Sequence, residues 1–168
     1  LPEDVALDAA GNLYIADSGN GRIRKVDRNG VITTVAEGIC ELTVAGQCRA
    51  GPASVAVDPA GNVYVGEYGT WRVRQLTPGG GITTFAGTGG FGFSGDGGPA
   101  TSAAITVARD ISVDAAGNVY LADFGNDRIR KILGSTPSFS LAPGVLRFAA
   151  TAGGPPVATQ QVSVLSNI

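Results

Sequence analysis

Three stretches of the chain carry one alternation of apolar and polar positions. Residues 11–26 read GNLYIADSGNGRIRKV, residues 61–76 read GNVYVGEYGTWRVRQL and residues 117–132 read GNVYLADFGNDRIRKI. Each contains a short alternating run, LYIAD, VYVGE or VYLAD, then a turn rich in Gly and Asn, then a second run, RIRKV, WRVRQL or RIRKI. Another apolar run, VALD, VAVD or ISVD, precedes each stretch across AAGN or PAGN, and the first two units continue into VITTVA and GITTFA. Val, Ile, Tyr and Thr in period two fit pleated strands, and the Gly, Pro and Asn between them fit turns. Gly11, Gly61 and Gly117 are expected to supply turn conformations that a Cβ would hinder. The innermost strands are expected over 5–8, 55–58 and 111–114.

The aspartates of ALDAAGN, AVDPAGN and SVDAAGN are Asp8, Asp58 and Asp114, so the units recur after 50 and then 56 residues. Repeats of this length point to propellers or solenoids before any single-core fold. No helical period of 10–12 residues intervenes, which argues against βαβ units and for antiparallel meanders. Four strands per unit make a propeller blade. A parallel β-helix is the alternative, but its rungs are usually shorter and lack this hairpin grammar. The expected fold is all-β, with three blades at about 1–38, 52–88 and 109–134, the third lacking a clear fourth strand. Three blades fall short of a closed ring and would make half of a six-bladed one. The chain starts inside repeat material, without an initiator Met, which suggests a fragment of a longer propeller. Two chains completing one another is the alternative.

The combined pattern P-x-x-V/I-x-x-D-x-x-G-N-x-Y-x-x-D/E, then R-I/V-R, then G-x-I-T-T, resembles the NHL repeat of β-propeller proteins. Unit one supplies Pro2, Val5, Asp8, Gly11, Asn12, Tyr14, Asp17, Arg22, Ile23, Arg24, Gly30 and Ile32. Unit two supplies Pro52, Val55, Asp58, Gly61, Asn62, Tyr64, Glu67, Arg72, Val73, Arg74 and Ile82. Unit three supplies Ile111, Asp114, Gly117, Asn118, Tyr120, Asp123, Arg128, Ile129 and Arg130, but has Arg109 in the proline position. The GDGGPA segment is similar to one found between blades of secreted bacterial NHL-like arrays, which implies an architectural role for it. The last residues, 135–168, lack the repeat. Their LRFAAT and TQQVSVLS runs are similar to the opening of bacterial Ig-like β-sandwich modules, too short here to complete one. An extra strand added to the propeller is the other reading.

Composition narrows the chemistry. The 168 residues include no His, which removes His-based acid–base catalysis, Ser-His-Asp triads and His-ligated zinc. Net charge is -2 with 15% charged residues, a poor match to nucleic-acid binding by bulk electrostatics. No apolar run is long enough for a membrane span. Cys40 and Cys48 flank a short loop. A local disulfide is the preferred reading, with an extracellular or periplasmic setting in a bacterial cell; two free buried thiols are the alternative.

Two groups of residues stand out. Arg22 and Arg24, Arg72 and Arg74, and Arg128 and Arg130 each share a strand face, and Asp17, Glu67 and Asp123 end the preceding strand. A repeated Arg–carboxylate pair fixing each hairpin is the structural reading; a ligand-binding ring is the functional one. Where the repeat is broken, residues 87–105 read GTGGFGFSGDGGPATSAAI. The G-x-G-x-x-G spacing inside it lacks the following helix that a dinucleotide site needs. Trp71, Phe91, Phe93 and Asp96 break the symmetry and are the candidate interaction loop, with Asp96 a weak candidate for calcium. The preferred function is a non-catalytic scaffold binding a protein or a small extracellular ligand, with no cofactor and no metal. The alternatives are part of a propeller enzyme, a lyase or lactonase-like hydrolase with catalytic residues on other blades, and RNA binding.

Overall fold

Short turns between strands leave antiparallel meanders as the only pairing within reach, and three of them form. The computed structural model describes residues 1–42, 48–134 and 139–141. The first sheet orders β1 (Asp4–Leu7), β2 (Leu13–Asp17), β3 (Arg22–Val26) and β4 (Ile32–Ala36). A small hairpin of β5 (Glu41–Leu42) and β6 (Cys48–Ala50) follows. The second sheet holds β7 (Pro52–Val57), β8 (Val63–Glu67), β9 (Val73–Leu76) and β10 (Ile82–Ala86). The third holds β11 (Ala108–Val113), β12 (Val119–Asp123), β13 (Arg128–Ile132) and β14 (Phe139–Leu141). No α-helix occurs among the described residues, and so none long and apolar enough to cross a membrane. These are successive four-stranded propeller blades.

The third blade does have its fourth strand. It comes from FSL, beyond the expected blade limit at 134: Ile132 pairs with Phe139 and Arg130 with Leu141. An edge strand needs only backbone groups facing β13, so no ITT signature was required. The LRFAAT and TQQVSVLS runs lie outside the described residues.

The recurring Asp-x-x-Gly-Asn is a turn device. Asp8, Asp58 and Asp114 each accept the backbone N–H of Asn12, Asn62 or Asn118 at 2.8–2.9 Å and that residue's side-chain amide at 2.7–2.8 Å. The Tyr64 and Tyr120 hydroxyls donate to the same carboxylates in their blades, at 3.2 and 3.1 Å. Side-chain bonding of this kind closes the turn locally. It also sets a pH dependence. Burial pushes the Asp8 and Asp114 carboxyls up, but hydrogen bonds from Asn12 and Asn118 outweigh it and hold both below 3.8. Burial, then the Asp58 carboxylate, pushes the Tyr64 hydroxyl from 10.0 up to about 12. A depressed acid stabilises the fold above its unfolded pKa and loses that contribution as pH falls through the folded value. A raised phenol stabilises up to its unfolded pKa and loses it as pH rises toward the folded one. The melting temperature should therefore fall below about pH 4 and again between about pH 10 and 12. A flat alkaline limb would remove Tyr64 from the account.

Blades pack face to face. Tyr14, Ala16, Ile23 and Ala36 of the first meet Val55, Val63, Val65 and Leu76 of the second. Tyr64, Val73 and Phe85 of the second meet Ile111, Val119, Leu121 and Ile132 of the third. The same positions on the two outward blade faces are open. Val5 is 57% exposed where Val55 and Ile111 are 3% and 4% exposed, and Ile129 is 37% exposed where Ile23 and Val73 are fully buried.

Candidate functional site

Meander topology puts all turns between the second and third strands of a blade, and all connections to the next blade, at one end of the propeller. The symmetry-breaking residues gather there. Trp71 ends the turn between β8 and β9 with φ 54, in the left-handed region, where the first blade places Gly21 at φ 61. The turn imposes this conformation in every blade, Asp127 taking it at φ 53 in the third, and a bulky Trp adopts it only at a cost. Its indole lies edge-on between two rings, with centroids 5.8 Å from Tyr68 and 5.1 Å from Phe91. Phe91 is 67% exposed.

Phe93 and Asp96, though in the same connection, do a different job. The Arg128 guanidinium lies 3.9 Å above the Phe93 ring and Arg130 lies 5.1 Å from it. Asp96 accepts from Arg130 at 2.5 Å. Arg130, fully buried, also donates to the carbonyls of Ser94 at 2.9 Å and Ala104 at 2.8 Å and pairs with Asp123 at 3.4 Å. Asp123 in turn accepts the Thr106 N–H at 2.8 Å and its hydroxyl at 2.6 Å. Asp96 thus fastens the connection to the third blade, with Phe93 stacked on the arginines though 41% exposed, while Trp71 supports the exposed Phe91.

The arginines do not repeat one contact. Arg24 stands 3.9 Å from Asp17, while Arg22 lies 3.6 Å from Glu37. In the second blade no guanidinium comes within 4.0 Å of Glu67 among the described residues. The Thr70 hydroxyl takes that carboxylate instead, and Arg74 reaches Thr84 at 3.3 Å. Arg72 donates to the Thr70 and Thr88 carbonyls, at 3.3 and 3.0 Å. The expected pair therefore forms in the first and third blades and fails in the second, where Glu replaces Asp and a threonine stands in reach.

Cys40 is a free thiol, and Cys48 stands across from Leu42 in the β5–β6 ladder. The structure shows no bridge at Cys40, and the Cys48 side chain lies outside the described residues. The extracytoplasmic expectation loses that support.

Two more aromatic residues belong to this end and were not singled out by the sequence reasoning. Tyr68 and Phe124 occupy the position that Ser18 holds in the first blade. Aligning the three turns would have exposed them. Phe124 is exposed beneath the Arg109 guanidinium, at 5.0 Å. Arg109 is not in the proline position as expected: Ala108 takes it, pairing with Asp123 as Pro52 pairs with Glu67, and Arg109 follows it, lining a pocket of about 320 Å³ beside the inner strands with Glu3, Ser18, Tyr68 and Val107. Among the described residues no three His, Cys, Asp or Glu side chains come together to hold a metal ion.

Residues 1–26 match the NHL repeat family. No curated protein matches the sequence. Among solved structures, a Bacteroides thetaiotaomicron protein of unknown function aligns over 78% of this chain and 32% of its own, with 20% identity and a TM-score of 0.61. A chain of the nidogen/laminin complex aligns over 83% of this chain and 47% of its own, with 16% identity and a TM-score of 0.62. A gluconolactonase from Xanthomonas campestris aligns over 86% and 48%, with 13% identity and a TM-score of 0.59. The chain thus spans a third to a half of the length of these structures. The shared feature is the fold: this chain folds as blades of a β-propeller, and its first blade carries an NHL repeat.

Proposed function

We propose that this chain is a non-catalytic binding scaffold that engages a protein partner through the connection end of its blades. The observation that carries the reading is the run of Tyr68, Trp71 and Phe91, in edge-to-face contact and exposed at its two ends. Tyr, Trp and Arg are the residues most often found at the energetic centres of interfaces, because they bury much area for few rotatable bonds. Arg109 on Phe124 extends the same surface. The fold likeness includes both a component of an extracellular complex and an enzyme, so it favours neither reading.

Peptides selected from a displayed library on the wild-type chain provide the test. Trp71→Ala and Phe91→Ala should each weaken the selected peptides by at least about tenfold, since loss of a hot-spot residue costs about 2 kcal/mol or more. Arg28→Ala, in a turn at the opposite end, should leave them unchanged. Equal binding by all three variants would refute the assignment. The single Trp lets intrinsic fluorescence report the contact directly.

A further inference from the structure

A strict repeat would make the two grooves between neighbouring blades alike, and they are not. Between the second and third blades the groove is closed by Phe85, whose ring meets Tyr64 edge-on with centroids 4.8 Å apart at 71°. The Gln75 amide donates to the Tyr64 hydroxyl at 3.0 Å alongside it. In the first blade the equivalent residues are Val35 and Lys25. Val35 and Phe85 occupy the same bulge in their fourth strands: Ala36 pairs with Ile23 and Thr34 with Arg24, as Ala86 pairs with Val73 and Thr84 with Arg74. The exchange removes an aromatic ring from one groove and adds a cation at its margin.

The result is a groove of about 460 Å³ between the first and second blades. Its walls are Tyr14, Val35, Val63, Leu76 and Pro78. Val35 is 38% exposed where Phe85 is 7% exposed. The Lys25 ammonium stands 5.2 Å from the Tyr14 ring centroid and 4.0 Å from the Asp8 carboxylate. Hydrogen bonding with Tyr14 leads the causes that hold Lys25 above its usual pKa, so the cation persists at neutral pH.

We propose that this groove binds a small benzenoid carboxylate. Its ring takes the place that Phe85 fills one blade later, edge-on to Tyr14, and its carboxylate meets Lys25. The volume suits a small molecule. An apolar ring displaces water from Val35, Val63 and Leu76, and a ring on Tyr14 gains the same edge-to-face contact that Phe85 makes on Tyr64. A saturated or unsubstituted ligand would forgo one of the two interactions. The groove lies at the turn end of the blades, away from Trp71 and Phe91, so it stands or falls independently of the interaction surface proposed above.

Phenylacetate is the probe, titrated into the ¹⁵N-labelled chain and followed by amide NMR shifts. Saturable shifts are expected at Gly61, Val63 and Val35, with none from acetate and weaker ones from benzyl alcohol. Val35→Phe should supply the missing ring from within and weaken phenylacetate by at least about tenfold. Lys25→Gln, which copies the second blade, should bring phenylacetate down to the level of benzyl alcohol while leaving benzyl alcohol unchanged. The proposal is overturned by an absence of saturable shifts up to about 10 mM, a range that covers even weak sites. It is equally overturned if Lys25→Gln leaves phenylacetate binding intact, or if folded Val35→Phe binds as the wild type does.

Discussion

Replacing Arg130 by Met should destabilise the chain by about 3–5 kcal/mol, the usual consequence of leaving one partner of a buried ion pair behind. Arg130 and Asp123 are both fully buried and 3.4 Å apart. Without the guanidinium, Asp123 keeps its bonds from Thr106 and from the Asn126 amide at 2.8 Å, but no cation. The connection before the third blade loses its anchor too, because Ser94, Asp96 and Ala104 all meet the same side chain. Urea unfolding should register the loss, and hydrogen exchange should place it at residues 94–104. Lys is not expected to rescue, since one ammonium cannot span acceptors set around a planar fork. Adding Asp123→Asn to Arg130→Met should recover part of the loss, because no charge is then buried alone. Asp96→Asn should cost less, as Asp96 remains partly exposed at the rim. A loss under about 1 kcal/mol for Arg130→Met would mean that water reaches the pair and that the anchor is weak.

The second large effect is expected from Gly66→Ala. A Cβ placed on Gly66 would stand 2.5 Å from the Ala108 carbonyl oxygen and 2.7 Å from the Ala108 Cβ, and would also strike Ser54 Oγ. Two of these obstacles belong to the neighbouring blade, so relief requires the second and third blades to move apart. The Ser54 hydroxyl, buried and bonded to that same carbonyl at 2.7 Å, resists the movement. Overpacking of this kind costs about 1–3 kcal/mol, and a backbone obstacle puts Gly66→Ala at the upper end. The backbone of Gly66 is not left-handed, so any loss reports crowding and not strain. Gly79→Ala is the control: nothing lies within 4 Å of its added Cβ, and its effect should stay within about 0.5 kcal/mol. Equal stabilities for the two variants would contradict the close approach of the blades.

The contrast between Gly66 and the glycines of the Asp-x-x-Gly-Asn turns shows how differently sequence and structure speak. Gly11, Gly61 and Gly117 repeat at fixed offsets from an Asp and an Asn, and all have φ near +80°. Their role was legible because the whole device is local, closed by side chains four residues apart. Gly66 replaces the Ala of the other two units and carries no local signal. Its meaning lies in Ala108, on another blade. The same division separates Trp71 from Phe93. Both break the repeat and both looked available for a partner. Only packing showed that Phe93 lies under two arginines while Trp71 holds Phe91 at the surface.

The repeat by itself determined the all-β class, the hairpin order and the blade-by-blade architecture. These depend on short-range turns and on alternation with period two, both written within a few residues. The tertiary structure alone decided which Arg is an anchor, why Glu67 leaves the arginines, that FSL completes the third blade, and where a Phe-to-Val exchange opens a groove. Each of those depends on side chains brought together across a blade or between blades. Distance along the chain hides such contacts, because one residue type fits a buried pair, a surface pair or a bond to a carbonyl equally well until the surrounding blades fix its neighbours.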